Sequence, residues 1–123
     1  MSQADDSVIR IERRGNITIF RPGQQIETLG WDLVEQAADV VLEPIKDQES
    51  PLVLFALDGV NYFGSVFLSL LLRCWKNVST KGGMMVLSGV SPRARELLSV
   101  TALDTLWAIY DTELEAISVL ESD

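Results

Sequence analysis

The sequence predicts an α/β fold: one mixed β-sheet opened by an N-terminal β-hairpin and covered by about four helices, in the order β-β-α-β-α-β-α-β-α. Three observations carry this. Ile9 and Ile11, then Ile17 and Ile19, alternate on either side of a glycine-containing turn, the period of paired strands. Two short unbroken apolar runs, 52–57 and 84–87, read as strands covered on both faces. Between and after them, apolar residues recur every three or four positions, the period of helices. Strands alternating with helices argue for a sheet whose parallel part is joined by crossovers.

Residues 8–13 and 17–21 are the hairpin arms, joined at Arg14, Gly15 and Asn16 and stopped by Pro22 and Gly23. The next element runs over about residues 29–42, where Leu33, Val34, Ala37, Ala38 and Val41 share one helical face. Asp32, Glu35, Gln36 and Asp39 take the other, and Pro44 ends the helix or sits just beyond it. After the strand at 52–57, Asp58 and Gly59 break the chain. A helix follows over about residues 65–79. Its polar stripe is only Ser65, Ser69, Arg73 and Lys76, so it is either deep in the core or partly covered by a partner.

Lys81, Gly82 and Gly83 turn into the strand at 84–87. No Gly-Lys-Ser/Thr follows, so the glycines are a turn and not a phosphate loop. Ser91 and Pro92 open a helix as N-cap and first helical residue, with Ala94, Leu97 and Leu98 inward. Residues 106–109 make a last short strand. The capping box from Thr112 to Glu115 then starts a helix whose Leu114, Ile117 and Leu120 face inward.

A chain of 123 residues is the size of one domain, here residues 8–123, and residues 1–7 read as a frayed end. With 47% hydrophobic and 23% charged residues it is not a disordered chain. There is no histidine, which removes imidazole bases, Ser-His-Asp triads and His-ligated metals. The single Cys74 excludes an intrachain disulfide, reads as a core thiol and fits a reducing compartment. The net charge of −8 argues against nucleic acid as the main partner. Charge is uneven: the first 25 residues carry four arginines against three acids, whereas residues 104–123 carry six acids and no base. That acidic end reads as a solvated helix face or, more sharply, as a surface for a basic partner. The N-terminus is not a signal peptide. The greasy stretch 52–72 is not a membrane span, because Asp58, Gly59, Asn61 and Gly64 interrupt its middle. Trp31, Trp75 and Trp107 read as packing residues, though one exposed Trp would anchor an interface.

The pieces LVLFALDGVNYFGSVFLSLLLRCWKNV, KGGMMVLSGVSP and RARELLSVTALDTLWAIYDTELEA, in that order, resemble the STAS domain. This is the fold of anti-sigma factor antagonists and of the cytoplasmic tail of sulfate transporters, and the N-terminal hairpin fits its order. The resemblance implies a cytoplasmic, non-enzymatic module without a cofactor, binding an anti-sigma factor or a related serine kinase. Direct membrane insertion is not expected, and a homodimer is left open. In regulatory members a D-S-[ST]-G sequence at the mouth of the long helix carries the phosphorylated hydroxyl. Here it reads Gly64, Ser65, Val66, Phe67: the hydroxyl stays at Ser65, while the Asp, the second hydroxyl and the Gly are lost. Ala56 stands where a polar residue is common.

Two readings of Ser65 stand side by side, a plain helix N-cap and a phosphorylation switch. The partner surface that the resemblance implies comprises Asp58, Asn61, Gly64, Ser65, Phe67 and Ser69. Asp58 is otherwise a turn residue, and Phe67 either crowds that surface or thickens it. The alternative function is a permanent structural subunit, in a stressosome-like shell or a lipid-transport ABC complex.

Overall fold

Gly15 takes a positive φ of 60°, and the chain reverses there in a two-residue turn. The turn closes the hairpin of β1 (Ile9–Arg14) and β2 (Ile17–Pro22), in register from Ile9 opposite Pro22 to Arg14 opposite Ile17. The computed structural model describes residues 8–122, so the frayed end expected at residues 1–7 lies outside the described residues. The remaining elements are α1 (Val34–Leu42), β3 (Leu52–Ala56), α2 (Ser65–Thr80), β4 (Met84–Ser88), α3 (Pro92–Val100), β5 (Ala108–Tyr110) and α4 (Glu113–Glu121). This is the order read from the sequence.

The five strands lie in the order β1-β2-β3-β4-β5, with β1 antiparallel and the rest parallel. Each strand's alternate residues go to opposite faces. On one face Phe20, Val53, Phe55, Met85 and Leu87 meet Ala38 and Val41 of α1, Leu70, Leu71 and Cys74 of α2, and Ala94 and Leu98 of α3. On the other, Ile17, Ile19, Leu54, Ala56 and Val86 meet Ala116, Ile117 and Leu120 of α4. Each such fully buried Leu, Ile or Phe contributes about 1.5–3 kcal/mol relative to exposure. The stretch 52–72 is thus divided between β3 and α2, and among the described residues no helix is long and apolar enough to cross a membrane. The apolar excess of α2 is absorbed inside: Phe67, Leu68, Leu70, Leu71, Cys74 and Val78 are all buried.

Three local expectations are corrected. The first helix begins at Val34 and not near residue 29, because a 3-10 turn at Gln24–Thr28 and a turn at 31–33 carry the chain first. Leu33 therefore precedes the helix and is exposed. Pro44 sits just beyond the end of α1 at Leu42, as the sequence allows, at the start of a 3-10 turn, Glu43–Ile45. Leu114 is 71% exposed. At 100° per residue it lies about a third of a turn from the centre of the face set by Ala116, Ile117 and Leu120. The last strand is shifted, because Leu103–Thr105 forms a 3-10 turn and Trp107 is buried beside it.

Arg21 ties β2 to the start of α4. Its guanidinium donates two bonds to the Glu113 carboxylate, at 2.8 and 2.6 Å, and one to Glu12 at 2.9 Å. This fork pins the start of α4 to the hairpin. It holds the Glu113 carboxyl below the usual carboxylate range and raises the Arg21 guanidinium.

Candidate functional site

The carboxyl ends of the parallel strands and the loops after them form one rim of the molecule, where ligands of open α/β sheets usually bind. The loop after β3 shapes its centre. Val60 and Phe63 are buried and anchor it, while Asp58, Gly59 and Asn61 are exposed. Two neighbours hold it from either side. The Asn61 N–H donates to Glu27 at 2.8 Å, and the Asn61 carbonyl accepts from the Ser91 hydroxyl at 2.6 Å. Ser91 also caps α3, its oxygen accepting from the Ala94 N–H at 3.1 Å. Three loops are thereby fixed to one another. The Arg93 guanidinium stacks over the Tyr62 ring, 4.5 Å from its centroid, and adds a cation–π contact across the same seam.

Asp58 lies against the exit of β4. Gly89 has φ of 65°, and a Cβ there would fall on the Asp58 carboxylate. Only glycine lets the two loops approach in this way.

The start of α2 differs from the plain-cap expectation. Gly64, not Ser65, is the N-cap; its backbone is extended at φ −111°, ψ −161°, and it offers no side-chain acceptor. Ser65 is the first helical residue. It is exposed, and its hydroxyl has no hydrogen-bond partner among the described residues. The N–H groups of the first turn therefore lack a side-chain cap and face outward with the positive end of the helix dipole. An anion attached at Ser65 meets donors, not a closed wall.

The structure brings Asp58, Asn61, Gly64 and Ser65 onto the rim and separates two residues from them. Phe67 is 1% exposed. It packs on Phe63 at 5.1 Å and edge-on to Phe55 at 6.3 Å, so it neither crowds nor thickens a docking surface. Ser69 is half-buried one turn below the rim, and its hydroxyl donates to the Val66 carbonyl at 2.6 Å. Cys74 is buried, and burial pushes its thiol up to about 12, which leaves it unreactive. Among the described residues no group of three His, Cys, Asp or Glu side chains is placed to hold a metal ion.

Sequence reasoning missed Glu27, Tyr62 and Arg93, and it saw only half of Ser91. Ser91 was legible as a helix cap; its bond to Asn61 joins residues 30 positions apart and leaves no local pattern.

Comparison with known proteins agrees with this architecture. Residues 8–116 match the model of the STAS domain. The anti-sigma F factor antagonist of Paenibacillus polymyxa is 26% identical over 113 residues, covering 92% of this chain and 94% of that protein. The solved STAS domain protein of Planctomyces limnophilus, an anti-sigma-factor antagonist, is 33% identical with a TM-score of 0.82, over 92% of this chain and 97% of its own. The anti-sigma factor antagonist SpoIIAA in its unphosphorylated form shares the fold at 19% identity and a TM-score of 0.76, over 94% and 97% of the two chains. The consecutive five-strand order, the single helix behind the sheet and a family match spanning all five strands lead to one conclusion: the chain belongs to the STAS domain family.

Proposed function

We propose that this chain is a cytoplasmic, non-enzymatic regulatory module that binds an anti-sigma factor or related serine kinase through the rim and is released by phosphorylation of Ser65. One observation carries the reading: the Ser65 hydroxyl stands exposed, with no hydrogen-bond partner among the described residues, at a helix start without a side-chain cap. Phosphorylation there adds about −1.5 to −2 charge to a rim that already holds Asp58 and Glu27. The modified rim repels an acidic or apolar partner face without disturbing the core. The relatives' names, anti-sigma factor antagonists, point to the same class of partner. The permanent-subunit alternative loses its main motive, since the greasy side of α2 is covered by the protein's own core.

The test is binding of the host's anti-sigma factor to the native protein, Ser65→Ala and Ser65→Asp by calorimetry. A switch keeps affinity in Ser65→Ala and loses at least about tenfold in Ser65→Asp, as a charge brought against a formed interface does. A permanent subunit tolerates both. Phosphopeptide mapping after incubation with that kinase and ATP should place the phosphate on the peptide carrying Ser65; a phosphate elsewhere refutes the assignment.

A further inference from the structure

The edge strand β1 lies to the side of the Ser65 rim and has no role in the reading above. We infer that it is a second docking site, accepting by strand addition an extended segment of another protein in which apolar and acidic residues alternate.

The backbone sets the first condition. β1 is the outer strand of the sheet, and after Ile9 every one of its residues is exposed. The Gly23 N–H donates to the Val8 carbonyl at 3.0 Å, which fixes the phase of the β1–β2 ladder. In an antiparallel pair, hydrogen-bonded positions alternate. Val8, Arg10, Glu12 and Arg14 therefore turn their backbone groups toward β2, and Ile9, Ile11 and Arg13 turn theirs outward. Those outward N–H and C=O groups are the template that an added strand uses.

The side chains set the second condition, differently on the two faces. On the helical side, Ile11 and Val40 are 42% and 40% exposed and line, with Pro44, a shallow apolar groove of about 460 Å3 between β1 and α1. Asp39 and Glu43 stand along it and disfavour an acidic side chain there. On the other side the start of α4 comes near β1, with Glu113 within electrostatic reach of Arg14. Arg10 and Arg14 are exposed and make no ion pair within 4 Å among the described residues, whereas Glu12 between them is already held by Arg21. Two unpaired arginines on a molecule of net charge −8 are a local basic patch. A strand laid along β1 sends alternate side chains to the two faces. Apolar residues then enter the groove and acidic ones meet Arg10 and Arg14. A second copy of this chain fits less well: centred on Ile11, it sets Arg10 opposite Glu12, which Arg21 already holds, and leaves Arg14 opposite an apolar residue.

The probe is a short capped peptide alternating valine and glutamate, titrated into the isotope-labelled full chain and followed by NMR and amide exchange. Saturable shifts are expected along β1, with new exchange protection at Ile9, Ile11 and Arg13. The same peptide with lysine in place of glutamate should not bind. Ile11→Pro should abolish binding while leaving the hairpin intact, since that N–H is not used by β2 and proline is tolerated at such edge positions. Arg10→Glu with Arg14→Glu should weaken binding about tenfold with an unchanged fold, as two cross-strand charge pairs are reversed. The inference is overturned by no saturable binding, by equal binding of the lysine peptide, by undiminished binding to Ile11→Pro, or by shifts centred on the Ser65 rim. Protection of the same amides by concentration alone, without peptide, assigns the edge to a second copy and overturns it as well. Loss of Ser65 control leaves this result untouched, so the two readings fail separately.

Discussion

Replacing Ser65 by aspartate is expected to stabilise the free protein. α2 runs 16 residues from Ser65 to Thr80, and its N-cap Gly64 contributes no acceptor. The Ser65 side chain is exposed and makes no hydrogen bond among the described residues, so its replacement forfeits neither packing nor a partner there. What remains is a negative charge in the first turn, worth about 0.3–1 kcal/mol at low ionic strength. Asp58 and Glu27 on the same rim oppose it, which keeps the gain toward the lower end. For a domain of this size the gain corresponds to a rise of about 1–4 °C in Tm. Ser65→Asn is the matched control, isolating charge from shape and helix propensity. The assay is urea and thermal denaturation of the three proteins at neutral pH in low and high salt. Ser65→Asp should exceed Ser65→Asn at low salt, and the gap should shrink as salt screens the dipole. If Ser65→Asp falls below Ser65→Asn by more than about 1 kcal/mol, the hydroxyl is enclosed and not open at a helix start, and phosphate has no place there.

Gly64→Asp restores the family carboxylate where the backbone is extended and no atom lies within 4 Å of the added Cβ; urea denaturation should show a gain of about 0.3 kcal/mol. Gly89→Ala should cost about 1–2 kcal/mol for the left-handed backbone alone. Combining it with Asp58→Ala should remove the steric part and leave that backbone cost, which a double-mutant cycle reads directly. Ser91→Ala should cost about 1–2 kcal/mol through the lost cap of α3 and should shift the NMR signal of the Asn61 amide, because the hydroxyl also holds that loop. Glu113 is held below its unfolded value of about 4.3, so its contribution is complete above that pH and fades as pH falls through the lower folded value. The difference in urea midpoint between the native protein and Glu113→Gln should therefore be flat near neutrality and close below about pH 4.

The fold was legible wherever a local rule and a burial pattern agreed. The apolar runs at 52–57 and 84–87, the Ser91–Pro92 start and the Thr112 capping box all correspond to observed elements. The segment between β2 and α1 was not legible, because its 3-10 turn buries only Ile26 and has no helical period to reveal it. At the site, a hydroxyl at the mouth of α2 was readable, but its standing as first helical residue and not cap depends on the backbone of Gly64, which glycine leaves unspecified. Phe67 shows the limit of position-by-position likeness. Where a small residue is usual, the larger ring turned inward and joined an aromatic row with Phe63 and Phe55, whose partners come from other elements.

The single helix behind the sheet has a consequence for biosynthesis. Ile17, Ile19, Leu54 and Val86 are shielded on that side by α4, whose residues are translated after all five strands. During synthesis the three-helix side is able to close while the opposite surface stays bare in water, a sticky intermediate of the kind that chaperones retain. Once α4 has docked, the Arg21 fork to Glu113 holds it on that seat and the bare surface is covered.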